Sequence, residues 1–310
     1  MRWTRIEFHG SFPDGAVLPV FKGSMLRGAL GFALKRTVCA VRVKVCEPCL
    51  LRPSCVYARI FEAKPDPEQR AGQVNLPHPY VLDSSSMDRE TYVIGAAFKF
   101  ELLLFGSLID LLPYFIYAVE EMGRRGLGSK RQRFLLERVE VDKQIIYSPE
   151  MPQLPDPLPD RKLTLDPLPQ DGDIHHIRVH LETPLRTKFA GRLVSSIDFT
   201  LLVHTALRRV RALWWEFEQQ APPLDEKLLH SQAQQIGVLN SSLHWHEQVR
   251  YSSRQKSRQF MGGVSGSLEV EGDLAPFMPL LRVAEVVHLG KETSFGMGKL
   301  RLEVIYIECT

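Results

Sequence analysis

Histidines, clustered cations and crowded cysteines are the residues of this chain with chemistry to offer. Histidine gives or takes a proton near neutral pH, and lysine or arginine steadies the anionic charge that builds in many transition states. His288 opens the run HLGKETSFGMGK, residues 288–299, beside Lys291. His9 is expected to end a first strand, next to Gly10, facing a helix that carries Lys22 and Arg27. His244 and His246 bracket Trp245, and His175 and His176 form an adjacent pair. Each histidine taken alone is more often a structural or surface residue than a reactive one.

The cations are unevenly spread. Residues 250–259, RYSSRQKSRQ, hold Arg250, Arg254, Lys256 and Arg258 without an acid. Residues 124–133, RRGLGSKRQR, hold Arg124, Arg125, Lys130, Arg131 and Arg133, again without an acid. Glycine and serine around both clusters predict loops, and cations grouped on loops suit a polyphosphate partner. In the run 288–299, Gly290, Gly296 and Gly298 let backbone approach another chain closely, and Ser294 adds a hydroxyl. Lys291 and Lys299 flank the loop, so amide N–H groups and ammonium groups together would match phosphate oxygens.

Cys39, Cys46, Cys49 and Cys55 follow the spacing C-x6-C-x2-C-x5-C, with Cys309 far away near the C-terminus. Cysteines crowded in this way in a reducing compartment more often hold metal than form disulfides. Four thiolates complete the shell of a structural zinc, and an iron–sulfur cluster uses the same number of ligands. No ligand position is left open for chemistry.

The elements that must position these residues are legible in outline. Residues 2–9 alternate as a strand, and 21–38 have the apolar spacing of a helix despite their glycines. The cysteine insertion, 39–55, comes next. TYVIGAAFKFELLLF, 91–105, reads as one long strand, with room for another near 79–82. A helix from Leu108 then stops at Gly123, Gly126 and Gly128, and RFLLERVEV is a strand. Residues 149–173 are proline-rich and are expected to stay out of sheets and helices as a connector. Beyond it, IRVHLETPLRTK, HWHEQVRYSS, VSGSLEVEG and KLRLEVIYIE read as strands, with helices at 199–220 and 274–290. The order βαββαβ occurring twice predicts an α+β fold of two tandem ferredoxin-like (RRM-like) domains, 1–148 and 174–310. Each would have a four-stranded antiparallel sheet with helices on one face.

Here a resemblance becomes specific. VHLGKETSFGMGKLRLEV, residues 287–304, resembles the glycine-rich loop that marks the RAMP superfamily of RNA-binding proteins. The stretch WHEQVRYSSRQKSRQFMGGVSGSLEVEGDLAPFMPLL and TPLRTKFAGRL are similar to the CRISPR repeat-processing endoribonucleases of that superfamily. FKGSMLRGALGFALKRTVC with CEPCLLRPSCVYARIFE is similar to a subgroup with a cysteine insertion. The resemblance implies a reaction that needs no metal or other cofactor: the ribose 2′-OH attacks its 3′ phosphate, leaving a 2′,3′-cyclic phosphate and a 5′-OH. The implied partners are CRISPR repeat RNA, as precursor and mature guide, and other subunits of a CRISPR effector complex. Relatives commonly place a histidine near the first helix; residues 21–38 contain none, so roles do not transfer there. His288 is then the first candidate for proton transfer and His9 the second, with Lys22 as the cation. Arg27, Lys130, Arg131, Arg250, Arg254, Lys256 and Arg258 are expected to grip RNA, as are Gly290, Lys291, Ser294, Gly296, Gly298 and Lys299.

Composition narrows the alternatives. A hydrophobic fraction of 44% in 310 residues fits a globular chain, and the net charge of +3 says little by itself. The longest apolar stretch is broken by Glu101, Asp110 and Pro113, and the N-terminus lacks a signal-peptide core, so no membrane partner and a cytoplasmic location are expected. No G-x-S-x-G occurs to support a serine hydrolase. Two rivals remain: a non-catalytic RAMP subunit that binds guide RNA, favoured by the missing helix histidine, and a cysteine-based redox or metal sensor, which leaves the basic loops idle.

Overall fold

The computed structural model describes residues 1–62, 77–252 and 257–306. The chain divides into two compact units, residues 2–162 and residues 163–310 with Met1 counted in the second.

In the first unit the strands are β1 (Arg2–Phe12), β2 (Ala16–Val17), β3 (Tyr80–Asp83), β4 (Thr91–Tyr92), β5 (Ala96–Phe105), β6 (Leu135–Val141), β7 (Gln144–Tyr147) and β8 (Arg161–Lys162). Its helices are α1 (Lys22–Val38), α2 (Val56–Phe61) and α3 (Leu112–Arg125). The sheet runs β3-β5-β1-β6-β7 with antiparallel neighbours. That is the ferredoxin-like order with an added edge strand. Alternation along β1 sends Ile6, Phe8 and Phe12 to the helix side, where each is at most 1% exposed. Phe8 stacks on Phe100 and Phe12 on Phe98, with ring centroids 5.2 and 4.5 Å apart. Leu26, Leu30 and Leu34 of α1, and Phe115 and Val119 of α3, close this core.

The second unit repeats the plan with β9 (His176–Leu185), β10 (Lys188–Phe189), β11 (Arg192–Leu193), β12 (Gly237–Ser241), β13 (His244–His246), β14 (Val249–Ser252), β15 (Ser257–Phe260), β16 (Gly263–Glu271) and β17 (Leu300–Val304). Its helices are α4 (Phe199–Phe217), α5 (Glu226–Ala233) and α6 (Met278–Val287). The sheet order is β12-β16-β9-β17. No helix among the described residues is long and apolar enough to cross a membrane.

Several expectations are corrected. The long strand 91–105 is broken by a turn at Gly95, φ +74°, which leaves Val93 and Ile94 exposed. The proline-rich stretch does join a sheet: Arg161 and Lys162 pair with Trp3 and Arg2. They lie in the proline-free gap between Pro159 and Pro167, where N–H groups are available for a ladder. HWHEQVRYSS is no single strand. β13 pairs with β16, whereas β14 and β15 form a separate hairpin.

Candidate functional site

Helix α6 stops at His288, which adopts φ +53° and ψ 154°. Its ring turns inward, leaving the residue 2% exposed with Nδ1 3.3 Å from the Met297 carbonyl. The expected mouth of a phosphate-holding loop is therefore a packed interior, and this imidazole reaches no outside phosphate unless the loop opens. Residues 293–298 are buried too. The Leu289 N–H donates to the Gly298 carbonyl at 2.8 Å, and the Lys291 N–H donates to Arg186 at 2.7 Å. Gly298 N–H donates to the Pro184 carbonyl, and Lys299 N–H to Thr183 Oγ1. A Cβ on Gly298, φ +73°, would stand 1.8 Å from the Leu289 oxygen, and one on Gly290 would stand 2.4 Å from the Arg186 oxygen. The expectation that Gly290, Gly296, Gly298 and Ser294 embrace a foreign chain is thus corrected: the loop folds against the end of β9. Lys291 points outward, while Lys299 pairs with Glu182 at 3.4 Å.

The basic hairpin β14–β15 presents Arg258, with Phe260 67% and Val249 46% exposed beside it. Arg254 and Lys256 lie outside the described residues. Arg250 stacks over the Phe295 ring, 4.8 Å from its centroid, so it joins the hairpin to the glycine loop instead of reaching outward. The hairpin base is gripped at Gly262. Its N–H donates to Glu247 Oε1 at 3.0 Å, and its carbonyl accepts from Arg186 Nη1 at 2.7 Å. Glu247 also accepts from Trp245 Nε1 at 3.2 Å. Sequence reasoning missed Arg186, Trp245 and Glu247 as the residues that aim this hairpin. The lone acid before a double glycine was the available signal.

In the first unit, His9 sits within β1 and on the sheet face opposite Ile6 and Phe8. It therefore does not face α1, Lys22 or Arg27, which corrects that grouping. Its Nδ1 lies 3.1 Å from Arg138 Nη2, and its Nε2 lies 3.3 and 3.5 Å from the Glu7 and Glu140 carboxylates. Burial, then the Arg138 charge, pushes this imidazole below its ordinary range. Lys99 donates to Glu7 at 2.8 Å on the same face. Lys22 is 2% exposed, donates to the Val20 carbonyl at 3.3 Å, and is pushed down by desolvation. A lysine so enclosed does not meet an external phosphate. Arg27 lies over Phe61, 5.3 Å from the ring centroid.

The loop after α3 behaves differently. Leu127 and Gln132 exchange N–H bonds of 2.8 and 2.9 Å, and the turn they close carries Lys130, Arg131 and, just beyond it, Arg133 exposed. Gly126, φ +80°, permits the close return, because a Cβ there would stand 2.1 Å from the Arg131 oxygen. Cys39, Cys46, Cys49 and Cys55 are free thiols that line one small cavity beside α1.

Two ferredoxin-like units follow one another along the chain, and a glycine loop follows the second unit's last helix. A family model for an N-terminal domain, AF_1859_N, matches residues 1–158, and the model of the CRISPR-associated endoribonuclease Cas6 matches residues 179–300. The chain belongs to the family of the AF_1859_N model, and over residues 179–300 it is similar to the CRISPR-associated endoribonuclease Cas6. An Archaeoglobus fulgidus protein, described as uncharacterized, is 24% identical over 307 residues, spanning 97% of this chain and 98% of its own. Among solved structures, the product complex of Cas6 TTHB231, a Thermus thermophilus protein, aligns with a TM-score of 0.57 at 15% identity, over 97% of this chain and 100% of that one. The product complex of Cas6 TTHA0078 aligns with a TM-score of 0.52 at 19% identity, over 98% and 100%. A partial Cas6-RT-Cas1–Cas2 complex aligns with a TM-score of 0.60 at 13% identity, over 98% of this chain and 46% of that one. At these identities the structural likeness is one of fold.

Proposed function

We propose that this chain binds the repeat segment of CRISPR precursor transcripts and cleaves it without metal. The 2′-OH attacks the adjacent phosphorus as a base takes its proton. The P–O5′ bond breaks as an acid protonates O5′, leaving a 2′,3′-cyclic phosphate and a 5′-OH. The observation that carries this reading is the Cas6 family match, which spans the basic hairpin, its Gly262 anchor and the glycine loop in one segment. Outward cations supply phosphate contacts: Lys130, Arg131, Arg133, Arg258 and Lys291. Phe260 and Val249 offer apolar surface on which unstacked bases can rest. His9 carries the proton in this reading: its depressed titration favours the neutral ring, whose Nδ1 accepts once Arg138 turns from it to the phosphate, and Lys99 stands beside it as a second cation. Other CRISPR proteins are proposed partners of the assembled particle. The four-cysteine segment enters as a structural metal site, apart from the cleavage step.

A second reading, RNA binding without cleavage, is favoured by the burial of His288 and Lys22 and by the two-sided engagement of the His9 ring. One experiment separates the two. Repeat RNA is incubated with the chain in excess chelator, and again with a single 2′-deoxy nucleotide at the scissile position. Cleavage that the deoxy nucleotide abolishes supports the nuclease; tight binding with intact RNA supports the second reading. His9→Ala is expected to slow cleavage about a hundredfold or more while leaving affinity within about threefold. Unchanged cleavage by that variant removes His9 from the reaction.

A further inference from the structure

We propose that Cys39, Cys46, Cys49 and Cys55 bind one zinc ion that fixes the cysteine segment against helix α1. No residue from Cys39 to Tyr57 is buried, and Val41, Val45 and Leu50 are 53, 62 and 96% exposed. A segment without a core of its own needs another source of order, and metal ligation supplies it. All four thiols line one cavity of about 10 Å³ together with Lys35, Val43, Arg52, Tyr57 and Ala58. The four thiols thus face one shared space, and four thiolates complete the tetrahedral shell of a single ion.

Backbone geometry gives the thiols their directions. Cys39 caps the end of α1 with its N–H on the Lys35 carbonyl, and Cys55 is the N-cap of α2. Between them, Cys46 and Cys49 lie on a turn closed by the Cys49 N–H on the Cys46 carbonyl at 3.2 Å, and the Arg52 N–H continues it onto Cys49 at 3.0 Å. Ligation therefore ties the C-cap of one helix and the N-cap of another to a short turn. Four thiolates around a divalent ion leave a double negative charge, and the cavity wall holds two cations. Lys35 is fixed there by the Lys44 carbonyl and the Tyr57 ring, and Arg52 by the Glu62 carbonyl. Among the described residues, the ligand atoms that lie within 4.8 Å of one another belong to Glu7, His9 and Glu140. Glu7 is already held by Lys99 and Glu140 by Arg138, so an ion would have to displace both cations. The sulfurs stand further apart and draw together on binding, releasing their protons to solvent.

The consequence reaches α1. Tyr57 and Phe61 stack on each other, Phe61 lies where a Cβ on Gly31 would be 2.9 Å from its ring, and Arg27 covers that ring. Zinc at the cysteines thus holds α2 on the glycine face of α1 and orients Arg27 and Lys35. The test uses the full chain, loaded with zinc and dialysed against a weak chelator, with metal read by elemental analysis and ligands by X-ray absorption at the zinc edge. About one zinc per chain with four sulfur neighbours near ~2.3 Å is expected. Cys46→Ser/Cys49→Ser should retain less than a tenth of it, and Cys309→Ser should retain all. Stripping the wild-type chain should raise amide exchange over residues 39–57 at least tenfold and leave β1 and β5 unchanged. Absence of zinc, mixed nitrogen and oxygen neighbours in the wild type, retention by the double variant, or iron with acid-labile sulfide would each overturn the proposal.

Discussion

Single residues decide whether the glycine loop can form. Gly298→Ala puts a Cβ into the Leu289 carbonyl at a positive φ, and should cost roughly 2–4 kcal/mol, read as a lowered denaturant midpoint. Arg209 is buried, its guanidinium pushed down to about 10 by desolvation, and its Nε donates to the Val287 carbonyl at the end of α6. Arg209→Ala opens a cavity and orphans that carbonyl, so a loss of roughly 2–4 kcal/mol is expected in the same assay. His9 gives a pH dependence. Folding lowers its affinity for the proton, so the unfolded chain protonates first as pH falls. Its contribution is complete above the ordinary imidazole range and is lost on descent toward the depressed value. The Tm advantage of the wild type over His9→Gln should narrow between about pH 8 and about pH 5. Residue types were legible in the sequence; their directions were not. Glycine, lysine and histidine at 288–299 read equally well as a loop open to phosphate and as one closed on its own domain. What distinguishes them is the carbonyl row at Pro184 and Arg186, about a hundred residues away, which no local pattern records.

At the scale of elements, the basic hairpin and the loop after α3 are proposed as separable contributors to RNA binding. Replacing Lys130, Arg131 and Arg133 together with alanine should reduce the salt slope of RNA binding by about 2, at about 0.7 per lost phosphate contact, with stability within ~0.5 kcal/mol of wild type. Arg258→Ala should behave likewise on a smaller scale. Arg250→Ala should instead loosen the hairpin from Phe295, lowering both affinity and the thermal midpoint. An effect of Arg250→Ala on affinity alone would show that it meets RNA directly. The helices at α1, α4 and α6 were readable because their apolar faces repeat at helical spacing. β12 was missed because all its residues are exposed, which leaves no alternation to find. The break after β4 was missed because Val93 and Ile94 are strand-forming residues that sit instead on a turn.

For the whole molecule, the duplicated βαββαβ order was recoverable because ferredoxin-like topology follows from element sequence and the right-handedness of its crossovers. The chemistry was less so. The resemblance that leads to RNA cleavage rests on loops, and the expected helix histidine is missing from residues 21–38. The most direct measurement is the mass of the RNA ends produced when the chain acts on repeat RNA in excess chelator. A 3′ fragment with 5′-OH and a 5′ fragment carrying a cyclic phosphate are predicted. Intact RNA, or ends bearing 5′-phosphate that appear only with added metal, would contradict the account.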